Sequence, residues 1–250
     1  MKTNLAFQET DWSVYATCYD TLQQLIPYQA LLRQINDTLT TKPAAHLLDV
    51  GCGTGNLLQL IATEHPELDL SGVDFSPAML KRAQNKVRAL LREHDVNQGL
   101  PWPDESFEIV TSIHSLYALK DPAATLREIH RVLRKDGELI VVTPKQGYDN
   151  GLILKTHAGD HGPEEAWLHA HRSPEREMEL LTRAIDDAQV VAQMRYVAEH
   201  NRLIASTLQF HFFSTEQLEQ LLTSVGFTIV SRSLTYADQS HFIHAKKVTK

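Results

Sequence analysis

Hydrophobic positions along the chain change period several times, and each change marks an element. From residue 10 to 37 they recur at three- and four-residue steps. Trp12, Tyr15, Tyr19, Leu22, Leu25 and Ile26 share one helix face, and Tyr28, Leu31, Leu32 and Ile35 resume it after Pro27. One or two amphipathic helices are predicted, interrupted at the proline. Beyond them the pattern becomes short and continuous. Ala45 to Val50 is an apolar run that breaks on Gly51, Gly53 and Gly55, and Asn56 to Glu64 is again helical. A buried strand, a tight turn and a helix are expected in that order.

The alternation repeats. Leu68 to Asp74 reads as a second strand. Ser76-Pro77 opens a helix whose buried stripe is Met79, Leu80, Ala83 and Val87. A third strand falls near Ala89 to His94, although Leu90-Leu91 could equally extend the helix. Residues 97 to 104 are loop by their glycine and prolines. Phe107 to Ile113 is a fourth strand. Asp121-Pro122 caps a helix with Arg131, Arg134 and Lys135 in its last turn and Gly137 ending it, and Glu138 to Thr143 is a fifth strand. Such alternation means a parallel sheet covered on both faces, with ligands bound outside the carboxyl ends of its strands. The glycine turn, Asp74, Asp95 and Ile113-His114 all lie at that end.

Residues 146 to 209 break the rhythm. Gly147, Gly151, Gly159 and Gly162 make the first part loop-like, and Ser173-Pro174 then opens a helical stretch to about Leu208, in one piece or two. This reads as a helical lid over the ligand face or as a peripheral helical pair. Ser214 and Gln217 form a capping box for a last helix, ended by Gly226. Phe227 to Arg232 and His241 to Lys246 are two further strands.

Composition narrows the class. With 250 residues, 42% of them hydrophobic and 22% charged, the chain suits a large single domain. No apolar run is long enough for a membrane span, and Met1 to Asn4 do not open a signal peptide. Cys18 and Cys52 are expected as reduced thiols in a cytoplasmic protein. A net charge of -7 without a lysine/arginine block argues against a nucleic-acid partner. His157, His161, His169 and His171 lack zinc-like spacing with cysteines, so no metal is expected.

The glycine loop decides the ligand. A dinucleotide fold has G-x-G-x-x-G; here Gly51-x-Gly53-x-Gly55 follows Asp49, an acid that repels a pyrophosphate and suits an amino group. That spacing weakens the alternative of an NAD(P)-dependent oxidoreductase. Asp49-Val-Gly51-Cys-Gly53-Thr-Gly55 resembles motif I of class I S-adenosylmethionine-dependent methyltransferases, and Gly72-Val-Asp74-Phe-Ser-Pro-Ala-Met79 resembles their second motif. Leu100 to Val110, Leu126 to Gly137 and Phe213 to Leu218 with Gly226-Phe are similar to the ubiquinone/menaquinone-type (type 11) branch.

The resemblance implies a fold, a cofactor and a site. The fold would be α/β and Rossmann-like: a doubly wound, seven-stranded, mostly parallel sheet with one antiparallel C-terminal strand. Residues 1–250 would form a single domain, with a helical cover (1–40), a core (44–145 and 210–248) and a helical lid insertion after strand 5 (146–209). The cofactor would be S-adenosyl-L-methionine, leaving S-adenosyl-L-homocysteine. Asp49 and the Ile113 carbonyl would meet its amino group, and Gly51, Gly53 and Gly55 would let the backbone approach, beside Cys52 and Tyr19. Asp74 would accept from the ribose hydroxyls. Phe75 and Met79 would pack on adenine, with Asp95 and the Val96 amide at its edge.

The acceptor half is less legible. Methyl transfer from a sulfonium needs positioning and water exclusion, and a base only when the acceptor must lose a proton. His114 and Tyr117 are the candidate catalytic groups, and Tyr15 and Tyr19 could reach in from the cover. An Asn-Pro-Pro-Tyr signature of amino methylation on bases is absent after the fourth strand, where Ile113-His114-Ser115-Leu116 stands. A small-molecule acceptor is expected, with a quinone or lipid headgroup as the main variant. A non-catalytic cofactor-binding protein is the remaining alternative.

Overall fold

The computed structural model describes residues 11–39, 45–206 and 208–248. Residues 1–10 and 40 of the expected cover, residue 44 of the expected core and residue 207 of the insertion lie outside the described residues. Seven strands form one sheet: β1 (His46–Val50), β2 (Asp69–Asp74), β3 (Leu90–Glu93), β4 (Phe107–Ile113), β5 (Leu133–Pro144), β6 (Phe227–Thr235) and β7 (Ser240–Lys247). Their order is β3-β2-β1-β4-β5-β7-β6. Strands β1 to β5 pair in parallel, and β7 runs antiparallel to both β5 and β6. The order reverses at β1, which lies between β2 and β4, so a crevice opens past its carboxyl end.

Side chains alternate between the sheet's faces, and the core divides accordingly. Ile140 and Val142 join one buried cluster with Leu47, while Leu139 and Val141 join another with Leu48 and Val50. The first cluster takes in α2 (Ile26–Thr38), α3 (Asn56–Glu64) and α4 (Pro77–Lys86); the second takes in α5 (Pro122–Val132) and α9 (Thr215–Val225). Helix α1 (Trp12–Tyr19) precedes α2, with a 3-10 turn at Asp20–Gln24 between them. Pro27 stands in the first turn of α2, where its missing N–H costs nothing, so it starts that helix.

The insertion holds α6 (Asn150–Ala158), α7 (Pro174–Ala184) and α8 (Ala188–Ala205). It is not detached from the core. Leu154, Trp167, Leu180, Val191 and Met194 share one buried cluster with Leu31, Leu58 and Ile140.

Two local expectations fail. The helix after Asp121 ends at Val132, and β5 begins at Leu133 instead of Glu138. Leu133 is fully buried opposite Phe107, and Asp136, in the left-handed region at φ 58°, accompanies a register shift between Phe107 and Ile109. Arg134 therefore serves the strand: its Nε donates to the Glu105 carbonyl at 3.0 Å and its Nη1 pairs with Glu108. Residues 150–158, expected as loop, are helical. Gly151 is there for close packing, because a Cβ added to it would lie 1.6 Å from the Trp167 carbonyl oxygen.

Candidate functional site

The glycine turn links β1 to α3. Gly51 has φ 78°, and a Cβ on it would lie 2.5 Å from the Ser115 Cβ. Its lack of a side chain serves the protein's own packing. Gly53 differs: with φ 52°, its Cβ would have Tyr19 Cε1 as nearest atom, at 4.0 Å. Among these two glycines, Gly53 is the one that leaves room for a ligand beside the loop.

Asp74 ends β2 and is 8% exposed. Its Oδ2 accepts from the Gly53 amide at 3.0 Å and its Oδ1 from the Ser76 amide at 2.9 Å, so it fixes the glycine loop and the start of α4 together. Burial pushes its pKa up to about 6, against those hydrogen bonds. Asp49, in β1, accepts from the Thr111 hydroxyl at 2.8 Å through Oδ1. Burial raises its pKa to about 7, Thr111 opposes the shift and the Asp74 charge adds to it. A buried carboxylate penalised in this way favours a cation beside it.

A cavity of about 30 Å³ lies against the loop, lined by Tyr19, Asp49, Gly51, Cys52, Gly53, Ile113 and His114 among others. A second cavity, of about 610 Å³, lies beyond it. Its wall is aromatic, with Tyr15, Tyr19, Tyr117, Tyr148, Phe210, Phe212 and Tyr236. Tyr19 and His114 line both cavities and stand where they meet.

His114 follows β4 with φ 48°, strained for a residue with a side chain, and its amide donates to the Val142 carbonyl at 2.8 Å. Its Nε2 is 2.9 Å from Ser240 Oγ, and its ring centroid is 5.0 Å from that of Tyr236. Burial pulls its pKa down to about 4, and burial pushes that of Tyr117 up to about 12. Both are therefore neutral near pH 7. The Tyr117 ring packs edge-on against Phe210, with centroids 4.8 Å apart.

The structure gathers Tyr19, Asp49, Gly51, Cys52, Gly53, Ile113 and His114 around the small cavity, and joins Asp74 to them through Gly53. Tyr117 lines only the larger one of the two. Phe75 is 39% exposed and meets the edge of Trp12 at a centroid distance of 5.0 Å. Met79 is buried with Tyr15, Ala16, Cys18 and Val197. Asp95 caps a 3-10 turn at Val96–Gln98, its Oδ1 accepting from the Asn97 amide at 3.0 Å and side chain at 2.8 Å. Val96 packs at the rim of the second core cluster.

The cover is latched to the loop. Asp20 accepts from Thr54 Oγ1 and Lys86 Nζ, each at 2.6 Å, and from Arg82 Nη2 at 2.8 Å. Tyr15 donates to Asn201 Oδ1 at 2.7 Å, tying α1 to α8. Sequence reasoning missed Tyr148, Phe210, Phe212, Tyr236, Glu177 and Arg202 as lining residues. None sits in a motif, and Tyr236 reaches the cavity from a turn in which Tyr236, Ala237 and Asp238 all have positive φ without a glycine. Three of the histidines considered for a metal have other partners. His157 Nδ1 accepts from the Ile26 amide at 3.3 Å, and His169 and His171 lie 3.7 and 3.5 Å from Asp149. Among the described residues, no helix is long and apolar enough to cross a membrane.

A family model described as a methyltransferase domain matches residues 48–141. The chain is 36% identical over 115 residues to the demethylmenaquinone methyltransferase of Lactobacillus johnsonii, covering 43% of this chain and 47% of that protein. It is 32% identical over 157 residues to that of Thermus thermophilus, covering 58% and 70%. The chain thus spans about half the length of the first of these relatives. An S-adenosylmethionine-dependent methyltransferase structure from Aquifex aeolicus superposes with a TM-score of 0.56 at 15% identity, over 91% of this chain and 93% of that one, a likeness of fold. The sheet order, the glycine loop with its two buried acids and the similarity to the Thermus thermophilus protein agree: the chain belongs to the class I S-adenosylmethionine-dependent methyltransferases of the ubiquinone/menaquinone type.

Proposed function

We propose that the chain transfers a methyl group from S-adenosylmethionine to a small, planar, electron-rich acceptor held in the aromatic cavity. The observation that carries this reading is the meeting of the two cavities at Tyr19 and His114. A donor bound along the glycine loop, with its methionine end at the small cavity, and an acceptor in the large one would react across that junction. The residues present fit the cofactor. Asp49 is a buried carboxylate in want of a cation, and Asp74, with two acceptor oxygens, retains acceptor capacity for the ribose hydroxyls beside its backbone hydrogen bonds. Gly53, flanked by Gly51 and Cys52, would let the loop lie against it, and the Ile113 carbonyl would meet the amino group. Phe75 and Met79 would pack on adenine, with the Val96 amide and Asp95 at its edge.

When bound, the cofactor supplies a methyl group on a positively charged sulfur, which is already a good leaving group. The chain's own work is to place the acceptor and exclude water. His114 is neutral above about pH 4 and Tyr117 below about pH 12, so neither is tuned to take a proton near pH 7. They orient the acceptor by hydrogen bonds and ring contacts. Such a site suits an acceptor that is nucleophilic without a strong base, such as the ring of a hydroxylated aromatic. The name of the relatives, demethylmenaquinone methyltransferase, favours a quinol among these. The α6–α8 insertion acts as the cover of this acceptor.

The test is incubation with S-adenosylmethionine and 1,4-naphthalenediol under argon, followed by mass spectrometry. Gain of one methyl group on the diol, matched by S-adenosylhomocysteine, is expected. S-adenosylhomocysteine binding without transfer to any quinol, phenol, amine or lipid in a broad panel would overturn the reading.

A further inference from the structure

The wall of the aromatic cavity includes the ion pair of Glu177 and Arg202. Among its lining residues Glu177 and Arg202 alone carry a carboxylate or a guanidinium. Glu177 comes from α7 and Arg202 from α8, and Arg202 Nη2 donates to Glu177 Oε2. The Glu177 side chain is 6% exposed and that of Arg202 28%. Arg202 Nε is buried and has no hydrogen-bond partner.

This pair is a poor way to hold two helices together. Glu177 gives up nearly all of its water to make the pair, and apolar side chains of the same shape usually join two helices as well or better. The neighbouring contacts already bury Leu180, Leu181, Val190, Val191 and Met194. The pair also lies away from the glycine loop, since neither residue lines the small cavity. A guanidinium with five donors, a carboxylate partner on Nη2 and a place in the wall of an aromatic cavity is instead suited to an oxygen on whatever fills that cavity.

Charge narrows the class of that oxygen. Glu177 neutralises Arg202, His114 is uncharged near pH 7, and burial lowers the pKa of His171, the other histidine of the wall, so the wall has no net charge to offer an anion. A carboxylate arriving at Arg202 would lie beside the Glu177 carboxylate. A hydroxyl or carbonyl would not be repelled.

We propose that Arg202, oriented by Glu177, is the specificity-determining residue of the acceptor cavity, and that it recognises a neutral hydroxyl or carbonyl oxygen on the far side of an aromatic acceptor from the atom methylated. This rests on the reading of the cavity as an acceptor site. Glu177 is a positioning residue: it fixes the plane of the guanidinium and cancels its charge.

The experiment measures binding, so it does not depend on turnover. Protein saturated with S-adenosylhomocysteine is titrated by calorimetry, under argon, with 1,4-naphthalenediol, 1-naphthol and 4-hydroxy-1-naphthoate. The diol should bind about tenfold or more tighter than the naphthol, the scale of one hydrogen bond to a charged group. It should also bind tighter than the naphthoate. Arg202→Met with Glu177→Met removes both charges without leaving either buried alone, and should bring the diol/naphthol ratio near unity while S-adenosylhomocysteine affinity stays within about twofold. Arg202→Lys should retain part of the ratio. An unchanged ratio in the double variant, tighter binding of the naphthoate, or binding of none of the probes would each overturn the proposal. Failure to bind S-adenosylhomocysteine at all would instead strike the cofactor reading beneath it.

Discussion

The two cavities that meet at His114 are built by different means. The small one is centred on short-range sequence, a strand end, a glycine turn and Asp49, with Asp74 holding the loop through Gly53 and Tyr19, Tyr28 and Leu32 closing it from the cover. The large one is made of side chains that converge from α1, the insertion, the approach to α9 and the β6–β7 turn, with long intervals of chain between them. One site is centred on a local, polar loop; the other is assembled throughout and aromatic. The contrast suggests a division of labour that can be broken by mutation, because damage to one cavity should leave the other working.

Asp74→Ala should give the largest effect. It removes the proposed ribose acceptor and strands the Gly53 and Ser76 amides. S-adenosylhomocysteine affinity should fall by about 1.5–3 kcal/mol, the scale of a hydrogen bond to a charged group. Unchanged affinity by calorimetry would count against the ribose assignment. Phe212→Ala is the opposite case. It removes one aromatic wall of the large cavity, and should raise the acceptor KM by about tenfold while cofactor affinity moves by less than about twofold. A fall in cofactor affinity equal to the loss on the acceptor side would end the division.

The acids make the small cavity pH-sensitive. The folded-state pKa of Asp49 is about 7 and that of Asp74 about 6, both above the ordinary value of 3.8. The proton-bound forms are favoured by folding, so their contribution to stability is full below pH 3.8 and is lost as pH rises through 6 and 7. An ammonium group beside Asp49 relieves that loss. Thermal stabilisation by S-adenosylhomocysteine should therefore be greater at pH 8 than at pH 5.5, and a flat response across that range would remove Asp49 from the ammonium. The smallest expected effect is that of Tyr15→Phe, which deletes the hydroxyl bonded to Asn201 and so unties α1 from α8. Chemical denaturation should show a loss of about 0.5–1.5 kcal/mol, and the acceptor KM should change more than cofactor affinity.

Much of the core was legible because its signals are short. Gly51, Gly53 and Gly55 and the acids at strand ends lie within a few residues of the elements they serve, and period-two and period-3.6 patterns separated strands from helices. The start of β5 was not legible. Arg134, Lys135 and Gly137 look like a helix end, yet a buried Leu133 opposite Phe107 outweighs that local preference. Helix α6 was hidden for a related reason. Gly151 reads as a loop residue until Trp167 is seen packed against its backbone.

The sequence by itself determined the sheet, the glycine loop and the family, since each depends on residues near one another in the chain. Only the tertiary structure decided the cavity wall. Tyr148, Arg202, Phe212 and Tyr236 come from separate elements, and their meeting is fixed by how α1 and the insertion pack on one face of the sheet. Side-chain identity specifies what such residues can do, but the hydrophobic burial that brings them together is non-directional and leaves no spacing rule to read.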